Sequence, residues 1–231
     1  MGMKVKVLTI FPEIFPGFLG YSLTGRALKE GTWSLETVNI RDYAFDKHGS
    51  VDDTPCGGGA GMIMRPDVLG AAIKANHQGG RIIYMSPRGK PLTQQLVKDL
   101  SREEELTVIC GRFEGVDQRV LDAYEIEEIS IGDYILTGGE QAAQIMLDAV
   151  VRLLPGVLGN SESLSEESFE NFLLEHNQYT RPVAWEGREV PEILLSGHHE
   201  NIAKWRKAQS LEITERKRPD LMKKYLDFKR P

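Results

Sequence analysis

The first 150 residues alternate between strand-like and helix-like patterning, and this limits the possible folds more than any other feature of the chain. MKVKVLTIF, from Met3 to Phe11, is a β-branched, partly alternating run, and a weakly helical stretch follows from Phe15 to Lys29. WSLETVNI, RIIYMS, ELTVIC and EIEEISI read as further strands, whereas DVLGAAIKAN, TQQLVKDL, VDQRVLDAY and GEQAAQIMLDAVVRLL carry a helical period. Strands joined through helices run parallel, so the pattern predicts an α/β fold, a mainly parallel sheet with helices on both faces. Pro66 is placed to open one helix, Gly79-Gly80 to end it, and Pro155 to stop the last. Beyond Pro155 the stretch GVLGNSESLSEE is polar and loop-like. The chain therefore divides into an α/β domain over 1–157, an interdomain linker over 158–169 and a small, mainly helical domain over 170–231, with helices at Glu200–Glu215 and Asp220–Lys229.

Composition removes several classes of function. No apolar run reaches the roughly 18 residues of a membrane span. Lys4 and Lys6 interrupt the apolar start, so no signal segment is read and a cytoplasmic location is expected. Cys56 and Cys110 are the only cysteines and the five histidines are scattered, which speaks against a disulfide framework or a zinc site. The net charge is −6, yet residues 204–230 hold 10 basic against 4 acidic side chains. A local basic face can hold phosphates on an acidic protein, because the field at the contact decides. A solvated helix surface explains the same charges equally well.

Three loops directly follow strands: SPRGKP, GRFEGVD and GDYILTGGE. In parallel sheets ligands gather beyond the carboxyl ends of strands, so these loops form a pocket candidate, although each alone reads as an ordinary turn. None carries GxxxxGK[ST], and GxGxxG is missing after the first strand. Backbone groups with apolar walls from Met85, Pro87, Ile131, Ile135 and Leu136 suit an adenosine-sized ligand better than a triphosphate. A fourth segment, DDTPCGGGAGMIMRP (Asp52–Pro66), places Gly57, Gly58, Gly59 and Gly61 just after two carboxylates. It opens no helix, and its carboxylates would repel phosphate but accept from the N1–H and N2–H₂ groups of guanine. The reading is a surface that a flat partner approaches closely. Arg152 and the Glu166-Glu167 pair flank the linker, and by themselves they are solvated charges.

The motifs LTIFPEIF, VDDTPCGGGAGM, YMSPRGKPL, CGRFEGVDQRV, SIGDYILTGGE, RLLPGVLGN, YTRP and SGHHENIAKWR occur in this order. With them the chain resembles, along essentially its whole length, the bacterial tRNA guanine-37 N1-methyltransferases of the SPOUT class. That resemblance implies a homodimer, a deep trefoil knot in the sheet domain, and S-adenosyl-L-methionine as methyl donor with S-adenosyl-L-homocysteine as product. Carried onto this sequence, Tyr84, Met85, Ser86, Pro87 and Gly89 make one wall of the cofactor site. Gly111, Phe113, Glu114 and Gly115 make the second. Ile131, Gly132, Asp133, Tyr134, Ile135, Leu136, Gly138 and Gly139 make the third.

The implied partner is a tRNA carrying guanine 36 and guanine 37, and neither a membrane nor DNA is expected. Asp52 and Gly61 are expected to contact guanine 36. Lys204, Arg206, Lys207 and Arg216, with Lys217 and Arg218, would meet phosphates, while Trp205 packs. Guanine N1 must lose a proton before it can attack, so a general base is required, together with a donor for the charge growing on O6. The resemblance assigns Glu167 as base, with Glu166 as the alternative, and Arg152 to the oxygen. Glu167 stands where the family more often has Asp, Phe113 where Tyr is usual, and Cys56 where an aromatic is usual. A magnesium requirement is also implied, with Glu114 as the candidate ligand. Two other readings stay open at this point: a SPOUT enzyme acting on a ribose hydroxyl, and a non-catalytic RNA-binding factor that keeps the fold.

Overall fold

Apolar residues at alternate positions of the strands sort to opposite sides of one sheet. The computed structural model describes residues 2–159 and 167–229, and the chain divides into two compact units, Met1–Gly159 and Asn160–Pro231. In the first unit, β1 (Met3–Thr9), β2 (Trp33–Asn39), β5 (Arg81–Pro91), β6 (Glu105–Cys110) and β7 (Glu127–Ser130) form a sheet in the order β2-β1-β6-β5-β7. Every pairing in it is parallel. Val5, Val7, Ile83, Met85, Leu106 and Val108 face a core completed by α1 (Ser22–Lys29), α3 (Gln94–Leu100) and α5 (Glu140–Val151). Leu8, Ile82, Tyr84 and Ile109 face the other core, with α2 (Pro66–Asn76) and α4 (Gln118–Ala123). The two-residue period of a strand thus feeds both layers. Between β2 and α2, the two-residue strands β3 (Asp52–Asp53) and β4 (Ile63–Met64) pair antiparallel and carry the glycine loop between them.

Three details differ from the sequence reading. A 3₁₀ turn at Pro12–Ile14 precedes the weakly helical stretch, which itself opens as a 3₁₀ turn at Gly17–Gly20, and regular helix begins only at Ser22. Pro16 lacks a donor, and the nearby glycines are poor helix formers. α5 ends at Val151, after which Leu153 and Leu154 donate to Val150 and Val151 at 3.1 and 3.0 Å in tighter turns. Pro155 restricts the residue before it and so acts upstream of its own position. Lastly, β5 runs five residues past RIIYMS, but with a break: Met85 and Lys90 both lie opposite Ile129, so Ser86–Gly89 leaves the sheet and returns. At the return, a Cβ on Gly89 would land on the backbone of Glu128 and Ile129, which only glycine avoids.

The second unit contains a small hairpin, β8 (Ala184–Trp185) with β9 (Arg188–Glu189), and three helices, α6 (Glu192–Leu195), α7 (His199–Lys217) and α8 (Pro219–Phe228). Leu173, Ile213, Thr214 and Leu221 are buried within it. Trp205 packs between the rings of His176 and Tyr179, at centroid distances of 6.4 and 6.2 Å.

One ion pair fastens the edge of the sheet where its strands end. Glu140, the first residue of α5, is fully buried. Its carboxylate accepts from Thr9 Oγ1 at 2.7 Å and from Arg112 Nε at 3.2 Å, and Arg112 Nη2 lies 2.8 Å from the second oxygen. Arg112 Nη1 also donates to the Thr137 carbonyl at 3.3 Å, and its guanidinium covers the Phe11 ring at 4.4 Å. The end of β1, the turn after β6, the turn after β7 and the start of α5 therefore meet at one charge. The α5 N-terminus favours an anion there. Removing one partner of a buried pair strands the other, so Glu140→Leu should lower stability by about 3–5 kcal/mol. Adding Arg112→Met should recover part of that loss. Urea midpoints read at an unchanged slope check both.

Candidate active site

The carboxyl ends of β5, β6 and β7 point to the same edge, and their three turns converge there. Gly139 N–H donates to the Gly111 carbonyl at 3.0 Å, joining the third turn to the second. Gly111 lies directly under the Tyr84 ring: an added Cβ would come within 2.5 Å of it, so a side chain here would displace the first wall. Phe113 takes a left-handed conformation (φ 59°), which tightens the second turn. The glycine loop is stitched to that turn, with Glu114 N–H donating to Met62 and Met64 N–H to Gly115, both at 2.9 Å. A Cβ on Gly61 would fall on the Glu114 side chain.

The turns enclose a recess of about 220 Å³. Of the residues expected to hold the cofactor, Tyr84, Met85, Ser86, Pro87, Gly111, Phe113, Glu114, Gly115, Ile131, Gly132, Tyr134, Ile135, Leu136, Gly138 and Gly139 all line it. Gly89 and Asp133 do not: Gly89 sits at the strand return and Asp133 is exposed. The recess also takes Arg112, Ile129, Ser130, Thr137 and Ala142, which the sequence reading omitted. Arg112 stood inside a quoted motif, and a cation just after the apolar end of a buried strand was the available signal. A wider groove of about 820 Å³ shares Tyr84, Ser86, Pro87, Glu114 and Gly115 with the recess and is edged by Asp53, Cys56, Arg65 and Arg119.

The chemistry of this recess is that of a binding site. Burial pushes the Cys110 thiol well above its usual range, so it remains a neutral core group. Burial, reinforced by the charge of Glu128, likewise raises the Tyr84 phenol. What the recess offers a ligand is main-chain N–H and C=O groups from glycine-rich turns and apolar faces, including the exposed Tyr134, Ile135 and Leu136 at its rim.

Around the recess, Asp52 is half-buried in β3, with its backbone opposite Met64, and it is Asp53 that lines the groove. Gly57, Gly58 and Gly59 take φ values of +94°, +80° and +121°, and among the described residues nothing lies within 4 Å of a Cβ added to them. Backbone conformation therefore demands these glycines, while only Gly61 is pressed against the chain. Arg152 caps the C-terminus of α5 in the first unit. Glu167 belongs to the second unit, where it lines a small cavity with His176, Arg206, Lys207 and Ser210. Glu166 and most of the expected linker lie outside the described residues.

Lys204, Lys207 and Arg216 are exposed on α7 and Arg206 is half-buried. At 3.6 residues per turn they do not share one face. Lys204 pairs with Glu200 at 2.6 Å, Arg218 with Asp220 at 2.7 Å, and Lys207 Nζ sits 4.8 Å over the Tyr225 ring. Among the described residues no three His, Cys, Asp or Glu side chains come together as a metal site, so Glu114 has no protein partner ligands there. No described helix is long and apolar enough to cross a membrane.

Comparison with known proteins bears on the whole chain. Residues 3–224 match the family described as tRNA (Guanine-1)-methyltransferase TrmD. Proteins named tRNA (guanine-N(1)-)-methyltransferase are 59% identical in Rhodospirillum rubrum, over 98% of this chain and 95% of the relative. In Bartonella tribocorum the identity is 60%, over 97% of each. In Ruegeria pomeroyi it is 58%, over 96% of this chain and 93% of the relative. With a family match that spans nearly every residue and relatives this similar from end to end, the chain belongs to the tRNA (Guanine-1)-methyltransferase TrmD family.

Proposed function

We propose that this protein transfers a methyl group from S-adenosyl-L-methionine to N1 of guanine 37, adjacent to guanine 36, in the anticodon loop of tRNA. The observation that carries the reading is the convergence of three strand-end turns on one recess of backbone donors and apolar walls, in a chain of this family. The cofactor supplies an electrophilic methyl on a sulfonium, with S-adenosyl-L-homocysteine left as product. The residues present suit it: the described lining of the recess holds no cysteine, lysine or histidine, and a neutral Tyr84 and apolar Met85, Ile131 and Leu136 favour the adenosine portion. A trefoil knot fits the close chain crossings at Gly89 over Glu128 and at Gly139 against Cys110. Exposed Phe18, Tyr21 and Ile145, on adjoining elements, suit a homodimer contact.

The chain's own residues then divide the work. Glu167 takes the N1 proton, and Arg152 steadies the charge that moves onto O6 as the proton leaves. Asp52 and Gly61 face guanine 36, an unstacked base read by its edge. Lys204, Arg206, Lys207 and Arg216 of the second unit meet phosphates, in the cytoplasm where tRNA is modified. Magnesium has no cage among the described residues, so no step is assigned to it.

Removing the base while keeping its shape separates catalysis from binding. Glu167→Gln should lower single-turnover methylation by roughly 10²–10⁴-fold and leave affinity for S-adenosyl-L-homocysteine unchanged by calorimetry. A loss of cofactor affinity instead would remove the assignment. A tRNA transcript with adenine at position 36 should be a poor acceptor in the same assay, since the loop carboxylate would face a ring nitrogen without a proton. Equal rates on both transcripts would take Asp52 and Gly61 out of the reading.

A further inference from the structure

Glu128 lies outside every set of residues assigned above, yet its carboxylate sits at the foot of the Ser86–Gly89 excursion. Ser86 is nearly buried, and its Oγ donates to Glu128 Oε2 at 2.7 Å. The same Oγ accepts from the Arg88 N–H at 3.2 Å, closing the turn on itself. From the outer side, Arg88 Nη2 lies 3.2 Å from both Glu128 oxygens and donates to Gln118 Oε1 at 3.1 Å, at the start of α4. Directly behind these contacts, Gly89 crosses the Glu128 backbone without room for a Cβ. The segment has left the sheet, since neither strand neighbour pairs with residues 86–89. Of the side-chain bonds that hold it, those to β7 all run to this one carboxylate.

We propose that Glu128 is a positioning residue for the cofactor: by holding Ser86 and Arg88 it fixes the excursion, and thereby sets the Tyr84–Pro87 wall of the recess. The physical case is that a four-residue excursion without ladder hydrogen bonds would otherwise sample many backbone states. Ordering them on ligand binding would cost conformational entropy, which a pre-fixed wall avoids. A charged acceptor suits the task, because its hydrogen bonds are shorter and stronger than neutral ones. The Glu128 side chain is 23% exposed, so it is screened less than Arg88 at 63%. Ser86 thus supplies the buried anchor and Arg88 the outer, solvent-facing one. This inference rests on the cofactor reading of the recess.

The test uses the full-length protein, S-adenosyl-L-homocysteine in calorimetry, and steady-state methylation of a tRNA transcript with both substrates varied. Glu128→Ala should weaken S-adenosyl-L-homocysteine binding and raise the cofactor KM by about tenfold, the size of one lost charged hydrogen bond. The tRNA KM should stay within about twofold of the parent value. Glu128→Gln, which keeps an acceptor for Ser86, should recover most of the affinity. Ser86→Ala should cost less affinity when added to Glu128→Ala than it does alone, because the two share the Ser86–Glu128 contact. Cofactor affinity of Glu128→Ala within about twofold of the parent would overturn the inference, as would equal rises in both KM values tracking a fall in Tm, the mark of a structural role only. Failure of the unaltered protein to bind S-adenosyl-L-homocysteine would instead overturn the cofactor reading, and this inference with it.

Discussion

The buried pair between Arg112 and Glu140 is the constraint on which the arrangement of the site depends. Taking two charges out of water is costly, and their attraction does not guarantee a net gain. What the pair supplies is definition. A carboxylate with partners on Thr9 and Arg112 accepts one geometry only, and Arg112 in turn holds the Thr137 carbonyl and covers Phe11. Three segments distant in sequence, ending β1, following β6 and running from the turn after β7 into α5, are thereby brought to fixed positions around one edge of the sheet. Two of the three turns that enclose the recess are attached directly to that charge, and the third is set against β7.

Close passage of backbone explains why so many small residues collect at this edge. A parallel sheet leaves its strand ends free to carry turns, but a turn can contribute to a shared pocket only if neighbouring chains come nearly into contact. Gly89 against Glu128 and Gly139 against Cys110 are such contacts, and a methyl group at either would push the chains apart. The glycines of the loop after β3 answer a different need. Gly57, Gly58 and Gly59 are required by left-handed backbone and not by crowding, which makes that loop a shaped surface and not a crossing point.

The recess and the proposed base fall in different parts of the chain. The recess is assembled wholly from the first unit, whose buried Cys110 and Tyr84 stay neutral. The proposed base, Glu167, is in the second unit among Arg206, Lys207 and His176, while Arg152 ends α5 in the first. A methyl donor must be held without being consumed by the protein, whereas the acceptor must be stripped of a proton.

Much of this was legible in the residues themselves. The residue pattern located all five main strands and the helices between them, because burial on both sheet faces selects short, nearly continuous apolar runs such as RIIYM, while a helix against the sheet keeps its own longer period. The three turns were legible as well, since glycine-bearing loops follow strands whose ends must share an edge. The departure from β5 was legible, since SPRGKP reads as a loop, but the return was not: nothing in it marks Lys90 and Pro91 as rejoining β7, and only the opposition of both Met85 and Lys90 to Ile129 defines it. Nor could a linear reading join Thr9, Arg112 and Glu140, or Ser86 and Glu128, because charge complementarity between remote positions has no local signature. Local chemistry fixes which segments become strands, helices and turns. Which charges meet depends on three-dimensional packing, since a buried carboxylate finds its partners only after the strands have been placed in order.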